Sequence, residues 1–449
     1  MNPMQNTNES SSGQYTRRTF LKTSAVAAAG LSMSAYGQAA SQTETLAMSG
    51  GPKAVTFPSE KIAQLDRWPR YGDAEKKALA DLIDSNGFYD ELPAFEKDWQ
   101  SYTGSPYVRN HINGTSALTS MYFALDLPAG TEILVPSYTF FATCVSMRFF
   151  GYVPVFVDVD PKTACLDLED AKRRLTPRTK AITVMHAWGM PCELDRIAGW
   201  ANEKGLILLE DSAQAHGASM QGRKTGTWGA MGIYSFQASK PLPAIEGGMG
   251  LYATREYFER ATTFGHYDCP RGFPADSPMR GYDGTGFGQK YRMHPFAAAL
   301  ARQQLKQLDS RNAVAAGNVK ELNGQLTQLE GVTEPFTRAD QHRIYYHANM
   351  LFMDFKKLGF GRAQLIKALT AEGVSAGFWD YPEQHKYKLY SEAKWWHHAP
   401  TIPESMPGNE YVNANHIMLP LFHGDASELN GQYAKAFQKI WTHRRELAS

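Results

Sequence analysis

The sequence predicts an α/β protein with a mostly parallel sheet, followed by a smaller C-terminal α+β unit. Helical patterns such as 166–175 and 194–201 separate most of a series of short apolar runs. Apolar strands that alternate with helices indicate a sheet covered on both faces, and ligands of such sheets bind at the carboxyl ends of the strands. The runs of strand type are 133–135, 155–158, 181–184, 206–209 and 233–236.

The composition is that of a soluble globular protein. The chain has 449 residues, of which 43% are hydrophobic and 20% charged, so it has room for one large domain and a smaller one. A net charge of +1 gives no reason to expect nucleic acid or an anionic membrane as partner. The histidines show no HExxH spacing, and the four cysteines form no CxxC pair, which argues against a metal site and a disulfide scaffold. The cysteines are Cys144, Cys165, Cys192 and Cys269.

The first forty residues, 1–40, read as a twin-arginine signal peptide. Arg17-Arg18 precedes an apolar run, 25–33, that is too short to span a bilayer, and small residues at Ala39-Ala40 suit cleavage. A disordered basic tail is the alternative. The signal predicts export in the folded state to the periplasm, with no stable membrane anchor.

The elements after the signal divide the chain into three parts. Residues 41–70 contain Gly50-Gly51-Pro52 and predict an extended N-terminal arm, and Asp73 to Gly87 bound a helix. A large domain is expected at 71–305, and residues 306–449 are expected to form a connecting helix and a small domain. The helical pattern itself runs from Pro295 to about Leu329. In the small domain the sequence predicts strands at 344–353 and 417–421 and helices at 362–372 and 427–441.

We interpret Lys240 as the residue that performs the chemistry. It follows the strand-type segment 233–236 and precedes a Gly247-Gly248 turn and a second strand, 249–254. Pro241 biases Lys240 away from the α region, so an extended conformation is expected. A plain surface lysine is the alternative reading, and the residues elsewhere in the sheet decide against it.

Several strands and helices of this sheet begin or end with groups that bind a flat, phosphorylated heterocycle. Gly114, Thr115 and Ser116 at a helix start offer N–H groups and hydroxyls to a phosphate, or serve only as a helix cap. The segment 136–140 follows a strand and places an aromatic ring where it can stack on the heterocycle or pack in the core.

Asp211 carries a stronger signal because it follows four apolar strand residues and Glu210. A buried carboxylate at this position needs a cation, and the protonated nitrogen of a pyridine ring is one; a helix cap is the alternative. Gln214 lies within reach of the same ring, and Ser235 is placed to bond a phosphate. Together these groups point to pyridoxal phosphate, whose ring accepts electrons from a substrate carbanion.

The chain from about Gly50 to its C-terminus resembles the DegT/DnrJ/StrS-type sugar aminotransferases, which are pyridoxal phosphate enzymes of fold type I. The segments that carry the resemblance are NGTSAL (113–118), VPSYTFFAT (135–143), LLEDSAQAHGA (208–218), GRKTGTWGAMGIYSFQASK (222–240) and EGG (246–248). The opening 46–55, with Trp68-Pro69, is similar to the branch that aminates keto-inositols. The resemblance implies a seven-stranded, mostly parallel sheet and a small α+β domain.

The resemblance also implies a role for each site residue. Lys240 holds the cofactor as an internal aldimine, Asp211 pairs with the ring nitrogen, and Phe140 stacks on the ring. Thr115, Ser116 and Ser235 hold the phosphate, with Gln214 beside the ring. Where the family has GxNxRM, whose Asn reaches the phosphate of the neighbouring subunit, this chain has Lys290, which offers a point charge instead.

The function implied is a ping-pong transfer of an amino group from L-glutamate or L-glutamine to a keto-sugar or ketocyclitol, in a homodimer. Dehydratases of the family carry His in place of Lys240, which disfavours dehydration. The alternatives are an exported non-catalytic homologue that binds pyridoxal phosphate or sugar, and another sugar-modifying enzyme with this cofactor. Aromatic residues at 378–381 and 395–396 either line the site or pack between domains.

Overall fold

The computed structural model describes residues 44–447, so the predicted signal peptide lies outside the described residues. A seven-stranded sheet forms the centre of the molecule, in the order β1-β9-β8-β5-β4-β2-β3, and only β9 runs antiparallel to its neighbours. The mostly parallel sheet is therefore confirmed. The strands up to this point are β1 Tyr107–His111, β2 Glu132–Pro136, β3 Val153–Val157, β4 Thr179–Met185, β5 Ile207–Asp211, the short β6 Ser219–Met220 and β7 Arg223–Lys224, β8 Met231–Ser235 and β9 Gly248–Tyr252.

Helices cover the sheet and join its strands. In the segment up to residue 326 they are α1 Ser59–Asp66, α2 Asp73–Ser85, α3 Glu91–Thr103, α4 Gly114–Ala124, α5 Phe141–Val145, α6 Leu168–Arg174, α7 Leu194–Glu203, α8 Arg255–Gly265, α9 Pro295–Leu305 and α10 Leu308–Leu326. Among residues 44–447, no helix has the length and apolar character that crossing a membrane requires.

The C-terminal part has its own sheet, in the order β10-β12-β13. Its elements are β10 Val332–Thr333, β11 Gln341–His342, β12 Asn349–Met353, α11 Phe355–Leu358, α12 Arg362–Ala371, α13 Lys388–Ser391, α14 Pro407–Asn415, β13 His416–Leu419, α15 Ser427–Thr442 and α16 Arg444–Leu447; β11 pairs with β6 instead. A separate apolar core, with Leu351, Ile417 and Phe437 at its centre, lies between this sheet and its helices. We propose that this core defines the small domain, from about residue 306.

Four local predictions differ from the structure. The arm contains the helix α1, and the helical pattern after Pro295 is interrupted at Lys306-Gln307, where the Arg311 side chain bonds the Gln304 carbonyl oxygen at 3.1 Å. Gly72 caps α2, because the Glu75 carboxylate accepts from its N–H at 2.7 Å, while Asp73 is the first helical residue. The predicted strand at 344–353 begins only at Asn349.

The topology brings the polar ends of five strands to one edge of the sheet. Strands β1, β2, β4, β5 and β8 all end there, and antiparallel β9 begins there with Gly248, which pairs with both His111 and Ser235. A Cβ on Gly248 would lie 2.4 Å from the Asn113 carbonyl oxygen, so only glycine fits between these strands. The edge is therefore packed tightly enough to fix the positions of the groups on it.

A buried ion pair holds the N-terminal arm on the small domain. The Glu372 carboxylate accepts from the N–H groups of Ala47 and Ala54, at 2.7 and 2.9 Å, and pairs with Lys439 at 2.9 Å. The Lys439 ammonium also donates to the Pro52 carbonyl oxygen at 2.6 Å. The side chains of Glu372 and Lys439 are 1% and 4% exposed, so each depends on the other for its charge.

We expect Glu372→Ala to lower the free energy of unfolding by about 3–5 kcal/mol, because it leaves the Lys439 ammonium buried without its counter-charge. Urea unfolding followed by circular dichroism measures the loss. Glu330→Ala is the control, since Glu330 pairs with Lys357 at 3.4 Å on an exposed surface and such pairs contribute about 0–1 kcal/mol. Equal losses in both variants would contradict the assignment.

Candidate active site

Lys240 lies in the loop that joins β8 to β9. Its N–H donates to the Gln237 carbonyl oxygen at 2.8 Å, so Lys240 closes a four-residue turn and lies outside any helix or strand. The loop is pinned across its base by the bond from Ala244 N–H to the Phe236 carbonyl oxygen, at 2.7 Å. The Lys240 ammonium donates to the Tyr346 hydroxyl at 3.2 Å and lies 4.7 Å from the centroid of that ring. Its amine is thereby held in one direction.

Asp211 ends β5 and is 3% exposed. Thr143 Oγ1 donates to its Oδ2 at 2.7 Å, and Ala213 N–H donates to its Oδ1 at 3.0 Å. Burial raises the pKa of this carboxyl, while those two hydrogen bonds and the positive charge of Lys240 act in the opposite direction. Within the described chain no direct ion pair joins Asp211 to Lys240, so the carboxylate can serve a cation placed against it.

The start of α4 forms a cup beside the end of β8. Asn113 caps the helix by accepting from Ser116 N–H at 2.8 Å, and the Ser116 hydroxyl donates back to the Asn113 carbonyl oxygen at 2.8 Å. The N–H groups of Gly114 and Thr115 belong to the first helical turn and have no partner within the helix. A Cβ on Gly114 would lie 2.8 Å from the Ser235 Cβ, so glycine lets helix and strand meet. The cup suits an anion, with Ser116 acting through the cap.

Gln214 fixes an aromatic cluster next to Lys240. Its Oε1 accepts from Trp188 N–H at 2.9 Å, and its Nε2 donates to the Tyr381 hydroxyl at 2.8 Å. Trp188 has φ 55°, a left-handed conformation that is rare for a bulky residue, and its indole N–H donates to the Tyr138 hydroxyl at 3.0 Å. We call Tyr138, Trp188, Tyr346, Trp379 and Tyr381 the aromatic cluster; their neighbouring ring centroids are 4.9 to 6.2 Å apart.

Phe140 and Lys290 stand apart from these contacts. Phe140 precedes α5, is 50% exposed and has its ring centroid 4.4 Å from that of Phe141. Thr139 beside it donates to Thr143 Oγ1 at 2.9 Å, which links this loop to Asp211. Lys290 is exposed and forms an isolated bridge with His266. Within the described chain, the Lys290 ammonium makes no hydrogen bond to another predicted site residue.

Sequence reasoning missed several residues that position this site. The role of Thr143 could have been predicted, because Thr139 and Thr143 are one helical turn apart just after a strand. Tyr346 and Trp188 gave no local signal. Tyr346 contacts Lys240 across 106 positions of the chain, and the role of Trp188 depends on a backbone conformation that side-chain patterns do not reveal.

A family model described as the DegT/DnrJ/EryC1/StrS aminotransferase family matches residues 69–430. The chain belongs to this family. A second model, for the twin-arginine translocation pathway signal sequence, matches residues 14–34. The protein is thus an aminotransferase with pyridoxal phosphate as cofactor, as the sequence predicted.

Relatives of this aminotransferase include characterised sequences and solved structures. L-glutamine:scyllo-inosose aminotransferase of Streptomyces griseus is 32% identical over 340 residues, 73% of this chain and 79% of that protein. 3-Amino-5-hydroxybenzoate synthase of Amycolatopsis mediterranei is 32% identical over 293 residues, 64% of this chain and 74% of that one. The crystal structure of the aminotransferase from Psychrobacter cryohalolentis has a TM-score of 0.76 at 26% identity, covering 85% of this chain and all of that one.

The residues at this edge fit pyridoxal phosphate. The cup at Gly114 and Ser235, which a Cβ would fill, matches a phosphate at a helix N-terminus. The buried Asp211 carboxylate matches the protonated ring nitrogen. Lys240 supplies the amine that an aldehyde requires. These groups follow three different strands or their loops, so the fit depends on the sheet as a whole.

Proposed function

We propose that this enzyme is exported and transfers an amino group from L-glutamine or L-glutamate to a keto-inositol or a closely related keto-sugar. The observation that carries the proposal is the Lys240 amine, held by Tyr346 at the edge of the sheet where the Asp211 carboxylate is buried. The choice of amino donor and cyclitol is supported by the names of the relatives, above all the L-glutamine:scyllo-inosose aminotransferase at 32% identity.

In the proposed mechanism, pyridoxal phosphate supplies, when bound, a ring that accepts an electron pair from the substrate carbon. Lys240 Nζ would hold the cofactor aldehyde and, when free as an amine, would move the proton at the reacting carbon. Asp211 as a carboxylate would pair with the ring nitrogen and keep it protonated. The N–H groups of Gly114 and Thr115, with the hydroxyls of Thr115 and Ser235, hold the phosphate.

The aromatic cluster supports a ring-shaped acceptor. Trp188 is buried and fixed by hydrogen bonds, whereas Trp379 is 37% exposed, so the cluster runs from the site towards solvent. Flat aromatic faces pack on the apolar face of a sugar or cyclitol ring and exclude water from it, while the ring hydroxyls remain free to bond. Phe378, exposed next to Trp379, extends the same surface. The guanidinium carbon of Arg362 lies 3.7 Å from the centroid of the Phe378 ring.

We propose a homodimer, in which Lys290 reaches the phosphate of the partner subunit. Exposed apolar side chains beside the site support it, because surfaces of this kind mark protein contacts. They are Ile112, Phe140, Phe141, Ile245 and Phe287. Sedimentation of the purified enzyme tests the assembly, and a monomer with full activity would contradict the role of Lys290.

A half-reaction experiment tests the function. Purified protein is loaded with pyridoxal phosphate, and L-glutamine is added while the absorbance of the bound cofactor is followed. We expect the band of the Lys240-linked form to bleach, and to return when the aminated enzyme receives scyllo-inosose or another keto-inositol. Binding of cofactor without bleaching by any amino donor would favour the non-catalytic homologue. Return of the band with keto-sugars alone would redirect the acceptor assignment.

We expect Tyr346→Phe to lower kcat by about 10-fold to 100-fold, because Lys240 loses a hydrogen bond to its charged amine, which contributes about 1.5–3 kcal/mol. The exchange of the Cα hydrogen of L-glutamine for deuterium, followed by NMR, measures the proton transfer directly. Tyr345→Phe is the matched control, since that ring packs against the small cluster with Val319 and Leu421 instead. An unchanged exchange rate in Tyr346→Phe would contradict the positioning role.

A further inference from the structure

Two thiols that are distant in sequence meet next to the aromatic cluster. Cys165 follows β3, in a turn closed by the bridge between Val159 and Leu166, and Cys192 follows β4 shortly after Trp188. Cys165 and Cys192 are buried in the same apolar core, and the Cys165 thiol lies near enough to raise the pKa of the Cys192 thiol. The two sulfurs also contact neighbouring carbonyl oxygens of the β4 loop, Cys165 that of Met190 at 3.5 Å and Cys192 that of Met185 at 3.3 Å.

Both cysteines are buried, but Cys165, which is 3% exposed, lies nearer the surface than Cys192. Cys165 lines an open groove of about 150 Å³, together with Asp160, Arg196 and Arg338, whereas Cys192 is fully buried behind it. Burial and the contact with Cys165 raise the pKa of the Cys192 thiol, which makes Cys192 the slower nucleophile. A reagent in the groove therefore meets Cys165 first.

Whether the two thiols stay reduced or form a disulfide depends on the compartment that the protein reaches. All four cysteines carry free thiols in the structure, so Cys165 and Cys192 are both available for pairing. The twin-arginine signal at residues 14–34 directs the folded chain to a compartment where disulfides form and persist. Two thiols that lie in one core cluster, with the Cys165 sulfur 3.5 Å from a carbonyl oxygen two residues before Cys192, need little movement to be joined there.

We propose that Cys165 and Cys192 form a disulfide after export. The Cys165 thiolate attacks the disulfide of a protein thiol oxidase, releasing one oxidase thiolate and forming a mixed disulfide. The Cys192 thiolate then attacks the Cys165 sulfur and releases the second oxidase thiolate. Two protons and two electrons leave the pair, and the oxidase becomes a dithiol.

The cross-link joins the loop after β3 to the loop that carries Trp188. It restricts the unfolded chain across these two loops and holds the second loop in place, including the left-handed Trp188. We expect treatment with a phosphine reductant to lower the melting temperature of the exported protein. The Cys192→Ser variant has no disulfide to lose, so its melting temperature stays the same under reductant.

The thiol state of the wild-type chain tests the inference without any variant. The protein is released from the periplasm, denatured with iodoacetamide present and digested with trypsin without reduction. Mass spectrometry is expected to find the peptides 163–172 and 181–196 linked, with Cys144 and Cys269 alkylated. The same chain without residues 1–40, kept in the cytoplasm, is expected to carry four alkylated cysteines.

Alkylation of both Cys165 and Cys192 in the periplasmic sample would overturn the proposal, as would a link from either of them to Cys144 or Cys269. A melting temperature unmoved by reductant in the cross-linked wild type would overturn the stabilising effect. The inference rests on the export that is part of the proposed function, but none of these results depends on amino transfer, which keeps its own test.

Discussion

Lys240→Ala is expected to abolish amino transfer, lowering kcat by about 10⁴-fold. The reason is that one amine both anchors the cofactor and moves the proton, and general acid–base catalysis alone contributes about 10²-fold to 10⁴-fold. Borohydride reduction of the loaded wild type, followed by peptide mapping, is expected to place a pyridoxyl group on Lys240. Lys224 is the internal control, because it is also partly buried but bonds Tyr102 and the Gly217 carbonyl oxygen.

Lys240→Arg separates chemistry from folding. Arginine keeps a cation near the Tyr346 ring but does not form the covalent link, so the variant is expected to fold like the wild type and remain inactive. Retained transfer in either variant, or a pyridoxyl group on another lysine, would remove the basis of the proposed mechanism.

Asp211→Asn is expected to lower kcat by about 10²-fold to 10³-fold while leaving the fold intact. Asparagine keeps the shape and one of the two acceptor oxygens, but it loses the charge that keeps the ring nitrogen protonated. Fixed electrostatic partners of this kind contribute about that factor. Steady-state kinetics measures the loss. Thr143→Val is the companion variant, which removes only the bond to Asp211 and is expected to have a smaller effect.

Asp211→Asn lowers kcat, but in the absence of the cofactor it is expected to raise the stability of the fold. Burial raises the pKa of Asp211, so the folded state favours the protonated carboxyl, and stability is lost as the pH rises through that raised value. Asparagine does not ionise, so above this range cofactor-free Asp211→Asn is expected to melt at a higher temperature than the wild type. A lower melting temperature at pH 8 would mean that Asp211 supports the fold rather than the cofactor.

The sheet and the edge that carries the site follow from local patterns in the sequence. Apolar runs define β2, β4 and β5, and a parallel sheet collects their carboxyl ends, so Asp211 and Ser235 were predictable as neighbours. Gly114 and Gly248 were visible as glycines, although their tight contacts required the structure.

Contacts between distant segments could not be predicted. Tyr346 meets Lys240, and Tyr381 meets Gln214 across 167 positions, only after the C-terminal part packs on the sheet. The four cysteines looked far apart in sequence, but the strand order of the sheet places two of them together. These contacts depend on the packing of whole elements, which no window of sequence contains.

The buried ion pair of Glu372 and Lys439, which holds the N-terminal arm on the small domain, constrains the order in which the chain folds. The arm follows the matched signal sequence, but its partners Glu372 and Lys439 lie 325 and 387 positions after the arm residues that they bond. The N-terminal arm therefore docks only after Glu372 and Lys439 have been synthesised. A docked arm therefore marks a chain whose small domain has already been made, at a point of the chain that adjoins the matched signal sequence.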